Sequence, residues 1–268
     1  MPDCGGSKRH FRNWPWIIAH RGARAEAPEN THAAFEAAIR HGVDGIELDV
    51  QLTSDDVPVI FHDNGMSRIL GVDRPVSSFS HAELSGFDMG GWFSPDFKGE
   101  SIPTLESVID RYADKTILLV EIKSMPQWSN SPGLRKKSAL SVTRMIQRMV
   151  PAERMDGIYV LSFDPIILDM AHEYAPEIKL VRNLHLPIDD HEILQGMNQG
   201  VFACGLASER LTLNFMIHIH SLGLRVMTYS CNTAKEIDRA LELGVDMVLT
   251  DDPDEIVGHF RERVSALE

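Results

Sequence analysis

"IIAHRGARAEAPENTHAAFEAAIRHGVDGIELDV" (17–50) reads as strand, helix and strand in one pass. Ile17–Ala19 is a short apolar run that ends in the polar pair His20 and Arg21. Thr31 then supplies an N-cap, apolar residues recur at helical spacing, and Gly42 stops the helix. In "GIELDV" (45–50), side chains alternate along extended backbone. Glu47 and Asp49 therefore share one face while Ile46, Leu48 and Val50 share the other. The apolar set can pack on a helix layer; the two acids must then point inward.

The same rhythm runs outward along the chain. Near-continuous apolar runs such as "ILLVEI", "GIYVLSF", "IKLVRN", "VFACGL", "RVMTYS" and "DMVLT" suit parallel strands covered on both faces. Helix-like stretches ending in Gly lie between them, as in "SERLTLNFMIHIHSLG" and "TAKEIDRALELG". With "WIIA" and "GIELDV" the principal strands number eight. At 268 residues, that pattern predicts a single (β/α)8 TIM barrel over 1–268, with a doubly wound open sheet as the alternative. The extra run "VPVIFH" (57–62) and the Gly-, Pro- and Ser-rich segment 63–103 break the rhythm and predict an insertion after the second unit. "NSPGLRKKS" (130–138) reads as a shorter polar loop.

The candidate chemistry gathers at strand ends. In "LLVEIKS", Glu121 and Lys123 share a face, with Val120 and Ile122 opposite. Glu47, Asp49, Glu121 and Lys123 thus converge on one end of the barrel, where buried acids are expensive unless a cation compensates them. Hard oxygen donors of this kind suit Mg²⁺ or Ca²⁺ rather than zinc; a buried ion-pair network with Lys123 is the plainer alternative. His20 and His62 end two of the runs, and imidazole can give or take a proton near neutral pH. Arg21 offers a planar fork for an anionic oxygen and Lys123 a point charge. Ser162 and Tyr229 also end strands. His218 and His220 are two apart on a helix and point apart, so they do not predict a metal site. "DDPDE" (251–255) reads as a helix start with Asp252 as N-cap.

Composition narrows the classes. With 43% hydrophobic and 24% charged residues the chain can bury a substantial core. A net charge of −13 argues against general affinity for nucleic acid. No GxxxxGK[ST], GxGxxG or GxSxG motif occurs, and no run reaches the roughly 20 apolar residues of a transmembrane segment. Three cysteines without CxxC spacing, Cys4, Cys204 and Cys231, fit a reducing compartment, and with no signal-like N-terminus the expectation is cytoplasmic. Oligomeric state is not legible.

Taken together, "AHRG" (19–22), "PENT" (28–31), "GIELDVQLT" (45–53), "VPVIFHD" (57–63), "IPTLESV" (102–108), "LLVEIK" (118–123), "LSFDP" (161–165) and "GVDMVLTDDP" (244–253) resemble the glycerophosphodiester phosphodiesterase family. The resemblance implies a TIM barrel that uses a divalent cation to hydrolyse small-molecule glycerophosphodiesters to an alcohol and glycerol 3-phosphate. It implies His20 and His62 as the acid/base pair, Glu47, Asp49 and Glu121 as metal ligands, and Arg21 and Lys123 as phosphate contacts. Tyr229 stands where the family commonly has Trp, and Asp56 where it has Gly. Rival readings are a phospholipase D-like enzyme on lysophospholipids, with an apolar groove from "DRPVSSF" (73–79) and "GFDMGGWF" (86–93), a catalytically silent ligand-binding barrel, and a Mg²⁺-dependent lyase or isomerase.

Overall fold

Inward and outward faces alternate along each strand, so the parity read from the sequence decides what the sheet can enclose. The computed structural model describes residues 14–124, 131–185 and 190–265; Cys4 lies outside them. Among these described residues nine strands form: β1 (Trp16–His20), β2 (Gly45–Leu52), β3 (Pro58–Ile60), β4 (Ile117–Ile122), β5 (Ile158–Ser162), β6 (Lys179–Asn183), β7 (Ala203–Ala207), β8 (Arg225–Tyr229) and β9 (Met247–Thr250). All but β3 run parallel in one ring, closed because β1 pairs with both β2 and β9. Closure excludes the open doubly wound sheet and gives the (β/α)8 barrel.

The faces divide as the sequence predicts. Ile46, Leu48, Val50, Val120 and Ile122 pack into the layer between barrel and helices. Trp16, Ile18, Leu119, Tyr159, Met227 and Leu249 fill the barrel interior. The helix His32–His41 starts at Thr31, whose side chain accepts from the Ala34 N–H, and ends at Gly42 in the left-handed conformation (φ 80°). Arg40 and His41 in its last turn complement the helix dipole.

β3 pairs antiparallel with Val50–Leu52, the end of β2. The segment after it holds only short helices, Ser67–Leu70 and His81–Leu84 among them. Its apolar residues, including Phe61, Met66, Val76, Phe79 and Leu84, close on a small core of their own. Asp56 sits in the turn before β3 at φ 67°, which explains why Gly suits the position and why Asp, which tolerates that region, can replace it.

One expectation is corrected. Residues 132–138, read as loop, open the long helix Pro132–Met149. Pro132 occupies the first turn, where its missing N–H has no intrahelical partner to lose. Asn130 lies outside the described residues.

Candidate active site

The ends of β1, β2 and β4 bring the predicted residues together. Single carboxylate oxygens of Glu47, Asp49 and Glu121 lie within 4.8 Å of one another, and all three residues are buried. Lys123 stands over them, with Nζ 2.9 Å from Glu121 Oε1 and 3.3 Å from Asp49 Oδ1. Arg21 Nε is 3.3 Å from Asp49 Oδ2. Both readings of the acids are thus represented: an ion-pair network exists, and it does not satisfy every oxygen.

Asp49 Oδ1 also lacks a hydrogen-bond partner among the described residues but lies against the Lys123 ammonium, so the group left shorter is Glu47. Its Oε2 accepts from the Arg21 backbone N–H at 3.0 Å, while Oε1 has no hydrogen-bond partner among the described residues. Burial, then repulsion from Asp49 and Glu121, push its carboxyl well above the ordinary range despite Arg21 and Lys123. Burial also pushes at Asp49, but there the charges of Lys123 and Arg21 outweigh it, and the Asn30 amide donates to Oδ2 at 2.8 Å, so its carboxyl is held low. Glu121 is raised by burial and Asp49 against the opposing pull of Lys123. Three acids face only two fixed cations, one of which, Arg21, is shared with Glu29. The unpartnered oxygen and all-carboxylate donor set therefore fit a hard divalent cation.

Backbone geometry makes the Glu47 contact possible. Arg21 has φ 59°, a left-handed value uncommon for a residue with a Cβ. Gly22 follows at φ 81°, and a Cβ there would lie 2.6 Å from the Ala34 carbonyl carbon. The chain turns away immediately, as the sequence predicts.

His20 and His62 flank the cluster, and each has a carboxylate on Nδ1. His20 Nδ1 is 2.7 Å from Asp251 Oδ1, and His62 Nδ1 is 2.8 Å from Asp63 Oδ1. His20 Nε2 is 4.0 Å from Glu47 Oε2. An aspartate on Nδ1 fixes the ring and leaves Nε2 to exchange a proton. Burial lowers the His62 pKa, and nearby Lys123 and Arg21 reinforce this against Asp49 and Asp63.

Tyr229 is half-buried near Glu121, its phenol pushed up to about 12 by burial and then by Glu121 and Glu209. Its ring meets Phe163 edge-on, with centroids 6.2 Å apart. Ser162 is scaffold: its hydroxyl donates to the Ile122 carbonyl and accepts from the Asp164 N–H. His220 pairs with Asp246.

The sequence reading missed several members. Asp251 was passed over because its neighbour Asp252 reads as the helix cap, and Asp252 does accept from the Glu255 N–H. Asp63 had a signal, its adjacency to His62. Arg24, Glu29 and Asn30 sit on a loop and Arg68 on a four-residue helix, too short for periodicity to report side-chain direction.

Inward acids, a lysine, an arginine and two carboxylate-held imidazoles at one end of a closed (β/α)8 barrel define an enzyme site suited to a substrate bearing an anionic oxygen. The glycerophosphoryl diester phosphodiesterase family model matches residues 20–255, and the chain belongs to that family. YhdW of Bacillus subtilis (strain 168), which carries the family's name provisionally, is 32% identical over 248 residues, covering 90% of this chain and 96% of its own. A glycerophosphodiester phosphodiesterase of Caldanaerobacter subterraneus subsp. tengcongensis is 29% identical over 264 residues, covering 91% and 97%. An Oleispira antarctica phosphodiesterase, solved with its product sn-glycerol-3-phosphate, superposes with a TM-score of 0.82 at 26% identity, covering 92% of this chain and 97% of its own. Among the described residues no helix is long and apolar enough to cross a membrane.

Proposed function

We propose that this chain hydrolyses glycerophosphodiesters to an alcohol and glycerol 3-phosphate, using a divalent cation, Mg²⁺ or Ca²⁺, and the acid/base pair His20 and His62. The observation that carries the reading is the buried Glu47, Asp49 and Glu121 triplet flanked by two His–Asp pairs. The three carboxylates would hold the cation, whose chemistry when bound is to stabilise charge on phosphoryl oxygens. Arg21 and Lys123 bind the phosphate, exchanging part of their pairing with Asp49 and Glu121 for its oxygens. One imidazole accepts the proton of the attacking oxygen and the other protonates the leaving alcohol, each held in its tautomer by its aspartate. Tyr229 and the Phe163 ring beside it offer an apolar surface to the carbon skeleton of the substrate.

Glycerophosphodiesters are favoured over lysophospholipids as substrates because the apolar side chains of the insertion, which would have to line an acyl-chain groove, are mostly consumed in its own core. The two buried free thiols, Cys204 and Cys231, support the reading of a reducing, cytoplasmic setting. The test is release of glycerol 3-phosphate from glycerophosphocholine and glycerophosphoethanolamine with Mg²⁺ or Ca²⁺, with and without chelator, beside lysophosphatidylcholine. Activity confined to the glycerophosphodiesters and abolished by chelator is expected. Full activity in chelator sinks the metal role, and preference for the lysolipid sinks the substrate assignment.

A further inference from the structure

A buried carboxylate outside the reacting set gathers the cationic side of this site. Glu29 is only 6% exposed, yet three guanidiniums end on it. Arg21 Nη1 donates to its Oε1 at 3.1 Å, Arg68 Nη2 to Oε1 at 2.7 Å and Nη1 to Oε2 at 3.2 Å, and Arg24 Nη2 lies 3.5 Å from Oε2. Each arginine leads elsewhere. Arg24 Nη1 is 3.6 Å from Asp251 Oδ1, which holds His20. Arg68 Nε donates to Asp63 Oδ2 at 2.7 Å, and Asp63 Oδ1 holds His62. Arg21 reaches Asp49.

We propose that Arg68, carried by the insertion, is a positioning residue that aims the His62–Asp63 pair, and that Glu29 anchors it together with Arg21 and Arg24. The inference rests on the assignment of His62 to proton transfer. Arg68 spends its whole fork, Nε on Asp63 and both Nη on Glu29, and its guanidinium lies 5.7 Å from the centre of the Trp92 ring. A guanidinium can satisfy two carboxylates at fixed mutual geometry; an ammonium is a point charge and cannot hold that fork. The insertion thereby sets the orientation of an imidazole whose own run, "VPVIFH", ends before the insertion begins.

Arg68→Ala is expected to lower kcat about 10- to 100-fold, the scale of a small misplacement of a reacting group, with KM within about threefold. Arg68→Lys recovers only part. Asp63→Asn lowers kcat as well, and the double variant falls no further than about twofold below the worse single one, because both act through one imidazole. Arg74→Ala, in an insertion arginine stacked on Phe79, leaves kcat unchanged. Thermal melts confirm folding; should Arg68→Ala not fold, the drop must appear in Arg68→Lys at an unchanged melting temperature. The His62 Nδ1 resonance, read by ¹⁵N NMR without substrate, shifts in the Arg68 variants. Additive losses, an unchanged kcat in Asp63→Asn or in the folded Arg68 variant, or an unmoved His62 resonance overturns the proposal. A wild-type enzyme that releases no glycerol 3-phosphate while the resonance still responds defeats the functional reading instead.

Discussion

The two ends of the barrel interior are built from the same strands on the same inward face, and they obey opposite rules. On β4, Ile117 and Leu119 belong to an apolar plug, and Glu121 and Lys123 continue that face as charges. On β1, Trp16 and Ile18 precede His20 in the same way. The plug gains stability from every apolar area it removes from water, about 25 cal/mol per Å². The charged end removes carboxylates from water and regains only what Lys123, Arg21 and Asn30 return. Stability is drawn from one end of the interior, and the proposed chemistry belongs to the other.

Glu47 should break the comparison most sharply. Glu47→Gln, or a chelator on the wild type, is expected to lower turnover by about 10³-fold, the several kcal/mol a divalent cation contributes to phosphoryl charge, as read by glycerol 3-phosphate release across a cation series. Next, His20→Ala and His62→Ala should each cost about 10²–10⁴ in kcat with melting temperature little moved, since neither ring belongs to the plug. Leu119→Ala should do the reverse, losing about 2–5 kcal/mol of stability in denaturant titration while molecules that remain folded keep their kcat.

The smallest effect tests the charged end's cost directly. In metal-free protein, Glu47→Gln should gain about 1 kcal/mol, roughly 2–4 °C in melting temperature. The sign follows from linkage. Glu47 has a folded pKa above its unfolded value, so its contribution is most favourable at low pH and is lost as pH rises above the ordinary carboxylate range. Asp49, with a lowered folded pKa, stabilises above its unfolded value and stops doing so as pH falls. A melting series over pH in chelator should therefore show a loss as pH rises from the ordinary carboxylate range through the raised Glu47 pKa, and Glu47→Gln should remove it. Identical slopes in the two proteins would mean that the Glu47 charge is compensated.

How much of this was legible follows from what reports direction along a chain. Period-two alternation in "GIELDV" and "LLVEIK" fixed which side chains face inward. Thr31 and Gly42 marked a helix with local capping chemistry that needs no distant partner. The order of strand and helix predicted the barrel, since eight parallel strands with helices between them have few ways to cover both faces. The loop reading of 132–138 failed for a local reason: Pro and Gly read as loop, and Pro serves equally as a helix's first residue.

The tertiary structure decided the rest. Closure of β1 against β9 brought Asp251 to His20, partners 231 residues apart. The fold of the insertion turned Arg68 back onto Glu29 and Asp63. Apart from His20 at the end of β1, these contacts join side chains on loops and a single-turn helix, too short to carry a period, so a residue's direction depends on what packs against it. The sequence by itself therefore determined the barrel, the inward acids and the two histidines. What holds His20, and what braces the Asp63 beside His62, was set only when separate segments met at the barrel's rim, because a hydrogen bond between them has no local signature in either.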